Sequence, residues 1–579
     1  LMVESGTSNT RVSVQFRILV FYYVGYLAML SIALISYILA VPIFAQRISA
    51  TVLSRITSIV FVYSAALSWT SLYYLPLSTG GVGLFSGLFH VSAITLGFQI
   101  LLLIVGALLL FGWGPMKDTK GLTVNNQKVG IEQSVNVNTN FVQTNTISEH
   151  SIIVLFGVLG GCFLMTSYNL VSMLLSIELQ SFAAYILCAL YRNSQTATSA
   201  GLKYFLLGSL ASSIIALGAA LIYAGTGITN FEDLAVFISV GEISNGNTFV
   251  TTAIAGGILL IGIGYIFKVG AAPLYNWSPD VYDGVPTIIT SWVSTIPKIG
   301  ILVFLLNLSF LATGYDIQWS TVVQDTIGNL YTPYAQPFQT LLLVCSVLSF
   351  VVGNIVGLSQ YRIKRLLTFS TINHLGFLLL ALAVSTEGSI EAFVFYLIQY
   401  SLTNVNTFLT ILAFGYVTKG VLMQGKAKGT VREFVLLEDL KGQFYKNPLL
   451  VISLAISLFS MAGIPPLMGF FAKQMVLYSV SYNYSYVAVV AILTSVIGAS
   501  YYLKIVKLMF FDKDHANIVN NNTDPATFKE PLITTMHSSV IAVLTLVISL
   551  YLFDSSILLN ACHLLSLSLF LSLIHIWRC

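Results

Sequence analysis

Apolar runs of roughly twenty residues, parted by short polar breaks, recur from one end of the chain to the other. A helix needs about 20 predominantly apolar residues to cross hydrocarbon. On that criterion the pattern predicts fourteen transmembrane helices, near 18–44, 56–76, 91–113, 150–168, 170–191, 200–224, 251–270, 286–311, 335–358, 363–385, 388–418, 448–480, 485–511 and 534–553. Among the breaks are the loops 312–334, 419–447 and 512–533, and an Asn/Thr/Val-rich stretch at 122–147 that reads as a low-complexity connector.

Two of the runs are interrupted. Within 262–298 an apolar stretch meets Lys268, breaks on Gly270 and Pro273, passes Asp280 and Asp283, and becomes apolar again around Lys298. Near the other end, Gly463, Pro465 and Pro466 break the run that then carries Lys473. Non-helical backbone at membrane depth is tolerated only where protein or a hydrated cavity satisfies it. Paired interrupted helices point to a transporter of two structural repeats with ion sites at the breaks. The expected fold is therefore an all-α integral membrane protein, with two inverted five-helix repeats that each contain a broken helix. The repeats are drawn at 150–311 and 335–511. Around them lie a polar segment 1–17, three additional helices and a loop at 18–149, and a loop with a final helix at 512–570.

Composition narrows the class. Charged residues make up 8% and hydrophobic ones 56% of the 579 residues, against about 25% charged in an ordinary soluble domain. No basic patch suggests nucleic acid. The five cysteines, Cys162, Cys188, Cys345, Cys562 and Cys579, show no ligand spacing, so neither a disulfide framework nor a metal site is expected. Residues 1–17 lack the short apolar core and cleavage site of a signal peptide. The last nine residues, LSLIHIWRC at 571–579, look like a translated sequencing adapter in which a stop codon is read as Trp577, which points to a mitochondrial genetic code.

Charge also orients the chain. Assigning the loops alternately to two sides puts seventeen lysines and arginines, from Arg47 to Lys529, on one side and only Arg11, Arg17 and Arg578 on the other. That asymmetry is what the positive-inside rule requires of a correct count, and it places both termini on the less positive side. Lys504 and Lys507 end a span and can snorkel to the positive side. Lys203, Lys268, Lys298 and Lys473 lie inside spans, and Glu178 and His374 join them. An ammonium near the bilayer centre costs about 2.5–3.5 kcal/mol on insertion scales, so each is a functional-site hypothesis.

A plainer reading stands beside each. Lys268 can simply end a half-helix, where a cation suits the dipole. Lys473 can sit at an interface, and Lys203, a few residues into its span, can reach water. Lys298 lies too deep to snorkel easily. Glu178 needs a partner or a proton. His374 suits proton relay but also fits a hydrogen-bonded packing role. Asp280 and Asp283 read as solvated loop carboxylates, and Arg362, Lys364 and Arg365 as anchors of a short loop.

The stretches FKVGAAPLYNWSPDVYDGVPT, KIGIL, RIKRLLTFSTINHLGFLLL and AGIPPLMGFFAKQ resemble the antiporter-like membrane subunits of respiratory complex I. The likeness runs from about residue 150 to 511. IELQS around Glu178, KYFLLGSLASS from Lys203 and the GFFAK form of the second break favour one branch of that family. The resemblance implies a proton path through Glu178, Lys203, Lys268, Lys298, His374 and Lys473. It also implies that the first three helices mark the fourteen-helix form of bacteria, fungi and plants. No cofactor is expected in this chain; NADH, FMN, iron–sulfur clusters and ubiquinone belong by that resemblance to partner subunits. The expected partners are other membrane-arm and accessory subunits, lipids and the transported proton, in the mitochondrial inner membrane with the termini in the intermembrane space. Two other classes stay open: an Mrp-type cation/proton antiporter, and a structural spacer through which no proton passes.

Overall fold

The computed structural model describes residues 22–39, 50–75, 81–112, 149–192, 194–241, 248–312, 335–422, 434–512 and 534–576. The segment 1–17, the connectors 122–147 and 313–334, and residues 577–579 lie outside the described residues, as does much of the loops 419–447 and 512–533. Nearly all that is described is helical, because in hydrocarbon a helix satisfies its own backbone. The first half holds α1 Tyr22–Leu39, then α2 Ala50–Tyr74, α3 Ala93–Gly112, α4 His150–Thr166, α5 Leu170–Ala189, α6 Gln195–Thr226, α7 Phe231–Gly241, α8 Thr248–Val269, α9 Trp277–Gly284 and α10 Thr287–Ala312. The second half holds α11 Ala335–Leu358, α12 Ile363–Val384, α13 Glu387–Leu422, α14 Pro448–Ala462, α15 Met468–Ser481, α16 Ser485–Phe510, α17 Thr535–Leu550 and α18 Ser556–Ile576.

Each predicted span falls on one of these helices or on a broken pair. Eleven described helices are long and apolar enough to cross a membrane, and His150–Thr166, Pro448–Ala462 and Ser556–Leu569 are shorter apolar helices. The sequence pattern did not place α18. Its last residues, 571–576, fall in the adapter-like stretch, which leaves 556–570 short of the twenty a crossing needs, and it is held by distant partners: Leu565 lies against Gly97 of α3, and His563 Nδ1 pairs with Glu391 of α13 at 3.2 Å.

Two helices form the centre. Every residue of α12 except Arg365 is buried, and the apolar stretch of α10 is nearly as enclosed. A helix hydrophobic all round belongs inside, and these two carry Lys298 and His374 into the middle of the bundle. The outer helices cross tightly where small residues meet. A Cβ on Gly218 of α6 would lie 2.7 Å from the carbonyl oxygen of Gly257 on α8, so only glycine permits that crossing. Outside the helices, β1 Val82–Leu84 pairs antiparallel with β2 Phe89–Val91. The Leu88 carbonyl in its turn accepts from Tyr168 N and Ser172 Oγ, tying the hairpin to the start of α5.

Candidate functional site

The first break is a helix end closed by a glycine. Gly270 has φ +82°; Ala271 N donates to Ile266 O at 3.3 Å and Gly270 N to Phe267 O at 3.0 Å, the paired bonds of a Schellman cap. Trp277, the first residue of α9, adds its indole N–H to Phe267 O at 2.9 Å. The interruption therefore leaves the half-helix end satisfied. Lys268 occupies the last turn of α8, with a side chain 5% exposed, and its Nζ lies 3.4 Å from Glu178 Oε1 on α5. A buried ammonium is retained where a partner meets it, and the carboxylate that meets it is itself 31% exposed.

The centre follows on α10. Pro297 has no N–H to return to Val293 O, so one helical bond is missing; the Tyr282 hydroxyl approaches that carbonyl at 3.5 Å. The next residue, Lys298, donates to Thr371 Oγ1 on α12 at 3.2 Å and stands 5.5 Å from the Tyr282 ring centroid, a cation–π distance. Three residues further along α12, His374 Nδ1 shares a hydrogen bond with Tyr396 Oη at 2.7 Å, and its Nε2 lies 3.4 Å from Tyr502 Oη. Tyr502 is also hydrogen-bonded to Ser370. Asn404 of α13 reaches back to Ser294 of α10 at 3.2 Å. The result is a buried polar seam across the two central helices.

The second break repeats the first. Gly463 has φ +85°; Ile464 N donates to Phe459 O at 3.1 Å and Gly463 N to Ser460 O at 3.1 Å. Here Lys473 on α15 reaches back across the gap, its Nζ donating to Ala462 O at 2.9 Å and lying 5.6 Å from the Phe377 ring centroid. The ammonium thus stands at the carbonyl end of α14, where a helix dipole favours positive charge.

Lys203 goes elsewhere. Its side chain is 58% exposed and its Nζ lies 3.2 Å from Asp280 Oδ2 on α9, so it is Lys268 and not Lys203 that meets Glu178. Asp280 also takes Arg365 at 2.6 Å, Asp283 takes Arg362 at 2.5 Å, and buried Lys364 donates to Val285 O at 2.8 Å, just past the end of α9. The expectation of solvated loop carboxylates is corrected: Asp280 and Asp283 lie on a short helix whose far end is ion-paired to the start of α12. A long-range pairing of this kind has no local signal.

Residues missed from sequence are Thr371, Tyr396, Tyr502 and Tyr282. A signal existed for some, since Thr371 and His374 sit at i, i+3 in an otherwise apolar run, and QYSLTNVNT on α13 is polar at helical spacing. Among the described residues no three His, Cys, Asp or Glu side chains are grouped as a metal would need.

The family described as "NADH:quinone oxidoreductase/Mrp antiporter, TM" matches residues 167–328 and 326–498. NADH-ubiquinone oxidoreductase chain 2 of Rhizopus oryzae is 45% identical over 559 residues, covering 94% of this chain and all of that one. The chain belongs to the NADH-ubiquinone oxidoreductase chain 2 family. It is a multi-pass membrane protein of the antiporter-like fold. A chain in respiratory complex I from Thermus thermophilus superposes with a TM-score of 0.64 at 25% identity, covering 92% of this chain and 98% of that one. A chain of the Mrp complex from a Dietzia species gives 0.69 at 17% identity over 94% of this chain and 97% of that one, a likeness of fold.

Proposed function

We propose that this chain is a proton-translocating subunit in the membrane arm of a respiratory complex I, driven by NADH-to-ubiquinone electron transfer in partner subunits. Moving one charge against 100 mV takes about 2.3 kcal/mol, and the partners supply it. Supporting this is one observation above all: Lys268, Lys298, His374 and Lys473, on α8, α10, α12 and α15, are each buried to 8% exposure or less. Protons pass along Glu178, Lys268, Lys298, His374 and Lys473, with Lys203 at the charged mouth beside Asp280. The Glu178–Lys268 pair is the switch: while closed, the carboxylate holds the ammonium, and its opening frees Lys268 to hand its proton on. The site is the mitochondrial inner membrane, with the cluster of Arg362, Lys364 and Arg365 on the matrix side, the N-terminus in the intermembrane space, and other membrane-arm subunits and lipids around it.

The test is Lys268→Ala in the assembled complex reconstituted in vesicles. Protons moved per NADH oxidised fall while NADH oxidation without a membrane gradient persists. A wild-type ratio removes Lys268 from the path and returns the chain to a spacer role.

A further inference from the structure

We infer that Gln180 positions an ordered water against Lys268, giving that lysine a second and neutral station besides Glu178; this rests on the proton-translocating reading above. Gln180 follows Glu178 by two residues on α5, so about 200° of helical turn aims it at a different side. It is 2% exposed, and neither its amide oxygen nor its amide nitrogen has a hydrogen-bond partner in the protein. Buried amides in native cores are matched by protein or by ordered water.

The amide lies in a slot cut by missing side chains. A Cβ on Gly161 of α4 would stand 3.4 Å from Gln180 Nε2, and one on Gly300 of α10 would stand 3.4 Å from Nε2 and 3.6 Å from Oε1. Gln180 also lines a cavity of about 20 Å³ together with Lys268, Ser181, Tyr185, Tyr204 and Pro297. One water needs roughly 10–15 Å³ and two to four polar partners. The space therefore takes a single molecule, bordered by Gln180, Lys268 and the hydroxyl-bearing Ser181, Tyr185 and Tyr204. When Lys268 leaves Glu178, this water accepts its N–H. Gln180 is a positioning residue, because it acts through the water and not on the proton.

Two measurements on the assembled complex test this. A cryo-electron microscopy map that resolves waters around Glu178 is expected to show one within hydrogen-bond distance of Gln180 and Lys268; a map that resolves the others and lacks this one overturns the inference. Gln180→Leu is expected to assemble and oxidise NADH without a gradient as the wild type does, while lowering protons per NADH as far as Lys268→Ala lowers them. Gln180→Asn, which keeps an amide, is expected to restore at least half of that loss. If Gln180→Leu pumps normally while Lys268→Ala does not, the inference falls and the proposed function stands. If Lys268→Ala itself pumps normally, the proposed function falls, and the map alone judges the water. The map also decides if Gln180→Leu does not assemble.

Discussion

Lys473 Nζ donates to the carbonyl oxygen of Ala462 at 2.9 Å, across the gap between the two halves of a broken helix. One group thus ends a helix and, on the proposed path, would also carry the moving proton. The two roles separate by substitution. Lys473→Leu leaves the carbonyl unmatched, which costs about 1–3 kcal/mol, and is expected to lower the thermal midpoint of the purified complex. Lys473→Gln keeps a donor and is expected to recover most of that midpoint, yet to pump as poorly as the leucine variant. Normal pumping by Lys473→Gln would reduce Lys473 to a cap.

Gly463 is fixed twice over. Its φ is +85°, and a Cβ there would lie 2.9 Å from Lys473 Cδ. The left-handed backbone alone costs a non-glycine residue about 1–2 kcal/mol, so Gly463→Ala is expected to lower the amount of assembled complex in membranes. Gly256→Ala is the matched control. Nothing lies within 4 Å of its added methyl, and in a helix interior alanine gains roughly 0.5–1 kcal/mol over glycine. Quantitative native gels of the two variants decide; equal levels would mean that the break tolerates a side chain.

Asp280 stands between Lys203 and Arg365. All three side chains are well exposed, so each pair is worth at most about 1 kcal/mol. Reversing the sign is another matter, since Asp280→Lys would bring three cations together. That variant is expected to assemble poorly at low salt and better at high salt, where screening weakens repulsion. Adding Arg365→Asp is expected to restore it. A double variant no better than the single one would show that the cluster does not seat α9.

His90, in the β1–β2 hairpin, packs 4.8 Å from the Tyr168 ring, and burial pushes its imidazole down to about 4. The unfolded hairpin protonates near the ordinary value of about 6.5, whereas the folded one stays neutral until about pH 4. The closed hairpin is therefore fully stable above pH 6.5 and loses stability as pH falls from 6.5 towards 4. Amide exchange over residues 82–91, corrected for intrinsic rates, should quicken at pH 5 relative to pH 7.5 in the wild type and not in His90→Phe. Identical protection at both pH values in the wild type rules this out.

Much of the architecture could be read from the chain because hydrocarbon leaves so few options: long apolar runs become helices, and Gly270 and Gly463 mark where they stop. The buried lysines were legible for the same reason. Their partners were not. Nothing near Lys298 in sequence points to Thr371, and nothing near Asp283 points to Arg362, because these contacts are set by which helices pack together. Lys203 shows the converse, since a lysine a few residues into an apolar run could face inward or outward, and packing turned it towards Asp280. The helix Ser556–Ile576 escaped because its last residues fall in the adapter-like stretch, which leaves 556–570 too short for a crossing, and because its anchors, Gly97 and Glu391, lie far back in the chain.

Lys364 is buried and gives its ammonium hydrogen to the carbonyl of Val285, while its neighbours Arg362 and Arg365 hold the carboxylates of the same short helix. The part of the molecule before residue 313 caps its own broken helix and gives Asp280 one cation, Lys203; the part after residue 334 supplies Arg362 to Asp283 and Arg365 to Asp280. A gene cut at that connector would yield two fragments, each carrying charges meant for the other, and neither could shift its pivot without tugging at its sibling.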